Sequence, residues 1–122
     1  ALPISDYVVF NGRQGALLGE NALKVNIGEK VRIFFGNIGP NGASSFHISG
    51  EIFDKVYPEG SLGGIVRRNV QTTLVPSAGA TIVELKLDVP GTYTLVDHSI
   101  FRVAKGGKVP LLVEIEQCLT PL

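Results

Sequence analysis

The sequence has no methionine and no tryptophan, one cysteine and only two histidines among 122 residues. The lone Cys118 cannot close an intrachain disulfide, so cysteine usage leaves both oxidising and reducing compartments open. Neither sign of charge is in excess. Eleven basic side chains balance eleven acidic ones, which removes the electrostatic footprint of a nucleic-acid binder or of a protein held on an anionic membrane. No apolar run approaches the roughly 20 residues that span a bilayer, so membrane insertion is not expected either. A charged leader with a following apolar stretch is also missing, and Ala1 is expected to begin a processed protein or a fragment.

What is present is turn-rich and apolar. Fifteen glycines and seven prolines lie between short apolar runs, a pattern of many strands joined by many turns. The length suits a single domain, residues 1–122, large enough to bury a core without disulfide or metal. Strands are expected at Tyr7 to Asn11, Ala22 to Val25, Val31 to Phe35, Ser44 to Ile48, Ile52 to Tyr57, Val70 to Val75, Thr81 to Leu87, Thr92 to Val96 and Val109 to Ile115. The clearest alternation puts Val83, Leu85 and Leu87 on one face and Glu84 and Lys86 on the other; Val31, Ile33 and Phe35 repeat it. Asn11-Gly12, Gly39-Pro40-Asn41-Gly42, Pro58 to Gly64 and Pro90-Gly91 read as turns and loops, and Ser99 to Ala104 as one helical turn. The expected fold is an all-β Greek-key sandwich.

Both histidines are expected at the ends of strand-like runs, where a sandwich presents imidazole to a metal or a substrate. A blue-copper site needs two imidazoles, a thiolate and a weak axial ligand, usually a thioether. Where that thiolate is expected, after Thr92 to Val96, the chain has Asp97, and Cys118 stands beyond the last strand. A catalytic copper or zinc site usually takes three protein ligands and keeps one position open, so two histidines fall one short unless a carboxylate or another chain contributes. An autonomous copper carrier would need His47 and His98 to converge with Asp97 or Glu51. The plainest alternative leaves both histidines as hydrogen-bonded rim residues without metal.

Several ordered stretches carry a resemblance: Asp6 to Gly12, Gly36 to Asn41, Ser44-Ser45-Phe46-His47, Gly50 to Asp54, Asn69-Val70-Gln71-Thr72-Thr73 and Pro90 to Phe101. Together they resemble the second cupredoxin domain of copper-containing nitrite reductases, over nearly the whole chain after residue 5. The resemblance implies a cupredoxin-like sandwich, a homotrimer of two-domain subunits, and a periplasmic or otherwise extracytoplasmic role in denitrification. It implies a type 2 copper shared between chains, with His98 as the one ligand given by this domain and no type 1 site here. It makes His47 the catalytic histidine that passes protons to nitrite, and Thr72 the hydroxyl that orients it. The first domain, which brings the other ligands and the electron-entry copper, would be a missing partner, so the chain alone is not expected to reduce nitrite.

Departures from that pattern matter equally. Family members generally carry a bulky aliphatic residue two positions after the catalytic histidine; here Ser49 stands there, and the substrate pocket should be wider and wetter. Arg67-Arg68 is expected to be solvated loop charge rather than an anion clamp. A non-catalytic, copper-free cupredoxin-like scaffold or assembly module is the rival expectation.

Overall fold

The computed structural model describes residues 6–114. One sheet holds β1 (Leu23–Asn26), β3 (Ser44–Ser49), β6 (Thr72–Val75), β8 (Gly91–Asp97) and β9 (Lys108–Glu114), in the order β1-β9-β8-β3-β6. The other holds β2 (Lys30–Gly36), β4 (Phe53–Pro58), β5 (Arg67–Val70) and β7 (Ala80–Lys86), in the order β2-β7-β4-β5. A one-turn helix, α1 (Ile100–Val103), follows β8. All neighbouring strands run antiparallel except β1 and β9.

Alternation does what period-two patterning requires. Val31 opposes Leu85 and Ile33 opposes Val83 on the inner face, while Arg32 opposes Glu84 on the outer one. From the other sheet Phe46, Ile48, Leu95 and Leu111 complete the core. A file of rings crosses it: Phe35 of β2 stacks on Phe46 of β3 with centroids 4.1 Å apart, and Phe46 stacks on Phe53 of β4 at 5.4 Å. Phe10 joins edge-on to Phe35 at 6.0 Å. Because the rings alternate between the sheets, the file sets the sheets' mutual position as well as burying area.

Four expectations are corrected. Tyr7 to Asn11 is irregular rather than a strand; among the described residues its backbone is tied by the Val8 N–H donating to the Lys105 carbonyl, and Asn11 and Gly12 take positive φ in the turn that follows. Val70 to Val75 is two strands, since β5 pairs with β4 and β6 with β3, so the chain crosses between sheets at Gln71. Arg67 and Arg68 lie in β5 rather than in a loop, and both are exposed. His47 is inside β3, not at its end. Ile115 and Cys118 lie outside the described residues.

The corner after β8 is held by charge. Asp97 is 4% exposed, and its Oδ1 accepts from the Ser45 N–H at 3.1 Å and the Ser99 N–H at 3.4 Å. Its Oδ2 accepts from Arg102 Nη1 at 2.7 Å, and the same guanidinium donates to the Ala43 carbonyl. Burial pushes the Asp97 carboxyl up, but the Arg102 bond and the two backbone N–H groups outweigh it and leave the pKa below the usual carboxylate range. Reciprocally, the Ser45 carbonyl accepts from the His98 N–H at 2.8 Å, so β3 grips both ends of the Asp97–His98 peptide.

Replacing Phe46 with Ala should lower stability by about 3–5 kcal/mol, read from the denaturation midpoint at unchanged slope. Asp97→Asn should cost about 2 kcal/mol, the worth of a hydrogen bond to a charged group. Because folding lowers the Asp97 pKa, the folded state binds fewer protons: its contribution is complete above the unfolded value of about 3.9 and is lost as pH falls from there through the folded value. An acid titration followed by circular dichroism should show this loss in the parent chain and a shallower one in Asp97→Asn.

Candidate functional site

Two buried neighbours aim His47. Phe46 and Ile48 are 1% and 0% exposed and point into the core, so strand alternation turns His47 to the outer face of the five-stranded sheet. There it lies between Thr72 of β6 and Val96 of β8. Its Nδ1 is 2.7 Å from the Gln71 carbonyl oxygen and 3.1 Å from Thr72 Oγ1. A carbonyl can only accept, so the hydrogen-bond network assigns the proton to Nδ1 and leaves Nε2 as the ring atom for a metal or for proton exchange.

His98 follows β8 and is exposed. Its ring lies 5.1 Å from that of His47, centroid to centroid, and nearly perpendicular at 84°. Among the described residues, its ring nitrogens have no hydrogen-bond partner, so the position of this imidazole comes from its backbone bond to Ser45 and from the Asp97 corner. Ser49 lies on the His47 face, two residues along β3 and opposite Thr94; it is exposed, with no bulky side chain to wall that side. Thus His47, Thr72 and His98 come together, and Ser49 borders them.

The donor set decides what this cluster can hold. Among the described residues, no group of three or more His, Cys, Asp or Glu side chains is placed to bind a metal. Asp97 is committed to Arg102, Ser45 and Ser99, and Glu51 Oε1 accepts from the Ile52 N–H. The convergence that an autonomous copper carrier requires is therefore absent from these residues. Two adjacent imidazoles, one braced through Nδ1 and one with both ring nitrogens open among the described residues, stand one ligand short of a three-ligand catalytic metal site.

Sequence reasoning missed the Gln71 carbonyl as the main partner of His47, since a backbone acceptor leaves no trace in side-chain type. It also missed Arg102 as the anchor of the His98 corner; the one available signal was a cation five residues after Asp97, across an expected helical turn.

The outer face around the histidines is also distinctive. Ser45, His47 and Ser49 of β3, Thr72 and Leu74 of β6, and Thr92, Thr94 and Val96 of β8 point outward, and none carries a carboxylate, ammonium or guanidinium group.

No family model matches the chain. A copper-containing nitrite reductase of Neisseria meningitidis serogroup A is 61% identical to it over 102 residues, covering 84% of this chain and 26% of that protein. The copper nitrite reductase structure from Nitrosomonas europaea superposes with a TM-score of 0.82 at 32% identity, over 91% of this chain and 41% of that one. The copper-containing nitrite reductase from Thermus scotoductus SA-01 gives a TM-score of 0.83 at 33% identity, over 90% and 26%. The chain thus spans about a quarter of the length of the curated relative. With that extent, that identity and two sheets in a shared arrangement, the chain is a cupredoxin-like relative of the copper-containing nitrite reductases, equivalent to one domain of them.

Proposed function

We propose that this chain serves as the second cupredoxin domain of a copper-containing nitrite reductase and contributes His98 and His47 to a type 2 copper site completed by another domain. The observation that carries the reading is the pair of imidazoles 5.1 Å apart, one of them fixed through Nδ1. The uncharged stretch of β3, β6 and β8 around them supports it, because depletion of charge is the mark of an interface core. In this reading the partner is a first cupredoxin domain, the assembly is a trimer, and the location is periplasmic.

His98 would hold the copper, its exposed ring reaching beyond the sheet. Bound copper would supply Lewis acidity and single-electron transfer to nitrite, which takes one electron and two protons to give nitric oxide and water. The chain's own residues then handle protons and position. His47, donating from Nδ1 to the Gln71 carbonyl, exchanges protons through Nε2. Thr72 Oγ1 keeps the ring from turning about Cβ–Cγ, and Ser49 admits water to the side that an aliphatic residue would dry.

The scaffold reading keeps one specific observation in its favour: among the described residues no third ligand joins the two histidines. Copper titration separates the two. With a first cupredoxin domain present, the chain should give a type 2 electron paramagnetic resonance signal and nitric oxide; His98→Ala should remove both. Copper-free mixtures with intact assembly would establish the scaffold instead. Thr72→Val should slow nitrite turnover about 10–100-fold with copper content retained, as loss of an orienting partner does. Ser49→Ile, which restores the aliphatic wall, should lower the KM for nitrite more than it changes kcat.

A further inference from the structure

The outer face of the four-stranded sheet carries the charge that the β3, β6 and β8 patch around the histidines lacks. Register sets Arg32, Glu84, Lys55 and Arg68 in one row across all four strands. Two residues along β2 and β7 in one direction, Lys30 stands opposite Lys86. Two residues the other way, Phe34 stands opposite Ile82, which stands opposite Tyr57. A basic row and an apolar stripe therefore run side by side.

Ion pairing does not exhaust the cations. Glu84 is shared: Arg32 Nε donates to it at 2.9 Å and Lys55 Nζ lies 3.3 Å away. Lys86 pairs with Asp88 at 2.6 Å. Lys30 and Arg68 have no carboxylate partner among the described residues. Two cross-strand neighbours carry like charges, Lys30 with Lys86 and Lys55 with Arg68, an arrangement that destabilises a sheet. Phe34 is 73% exposed while Ile82 beside it is 9% exposed, so the aromatic ring shields the aliphatic residue and is itself open.

We propose that this face docks an acidic protein partner, whose carboxylates meet Lys30, Arg32, Lys55 and Arg68 and whose apolar side chain packs on Phe34 and Tyr57. Charge complementarity names the occupant. Nucleic acid fits less well, since Glu84 stands in the middle of the row and would face a phosphate track, and the chain has no net positive charge. The face is on the sheet opposite to that of His47, so a partner bound here leaves the histidine face free.

The test is a titration of the full 122-residue chain, isotope-labelled for amide resonances, with a synthetic peptide alternating glutamate and phenylalanine. Saturable shifts confined to β2, β7, β4 and β5, and an affinity that falls with added salt, are expected. Lys30→Glu with Arg68→Glu should weaken binding about tenfold or more, and Phe34→Ser about tenfold, as for a buried aromatic anchor. Glu84→Gln removes the one carboxylate of the row and should tighten binding about threefold, a gain that misfolding does not produce. Shifts centred on β3 and β8, lack of saturation, or indifference to Phe34→Ser would overturn the proposal. So would equal binding of a heparin oligosaccharide or of phosphatidylglycerol vesicles, which would make the face a general polyanion surface.

Discussion

Everything at the candidate site depends on Phe46 being locked between Phe35 and Phe53. A strand has no freedom to turn one side chain without turning the next, so an immovable ring facing the core makes its neighbour an outward group of fixed direction. The core does not touch His47; it constrains the backbone on which the imidazole stands. The same logic reaches His98 through β8, where Leu95 faces the core and Asp97 ends the strand on a buried charge. Two imidazoles from different parts of the sequence meet because two adjacent strands have their inner faces filled.

Packing alone does not finish the arrangement, because His98 lies beyond the last paired residue of β8. There the fold uses a carboxylate that would be costly to bury by itself. Arg102 and two backbone N–H groups compensate Asp97, and the compensated group then organises β3, the corner and the helical turn at once. Asp97 occupies the position where a blue-copper domain needs its thiolate. In this chain that position is a structural anchor, tied to Arg102 and to the Ser45 and Ser99 N–H groups.

The strands that bury one face were legible from the sequence because period-two alternation is written in side-chain type: β2 and β7 are clear cases, with Arg32 and Glu84 facing out between apolar neighbours. β5 was not legible. Arg67, Arg68 and Asn69 carry no apolar alternation, and Asn69 at φ 56° interrupts the regular pleat. Tyr7 to Asn11 misled in the opposite sense, since Phe10 packs on the core without a ladder to pair with. At the site, His47, Thr72 and His98 were readable as a set only through resemblance. Nothing in their spacing of 25 and 51 residues from His47 says that they meet; strand pairing does that. The Gln71 carbonyl was out of reach for the reason that every residue has one.

That carbonyl sits where the chain leaves one sheet for the other, immediately before a four-residue strand at the rim of its sheet. Rim strands breathe more readily than interior ones, because they have a ladder on one side only. Each excursion of β6 withdraws the acceptor and the hydroxyl that keep the proton on Nδ1, and the imidazole is then free to exchange one tautomer for the other. The direction of the His47 ring proton is thus tied to the pairing of a short rim strand.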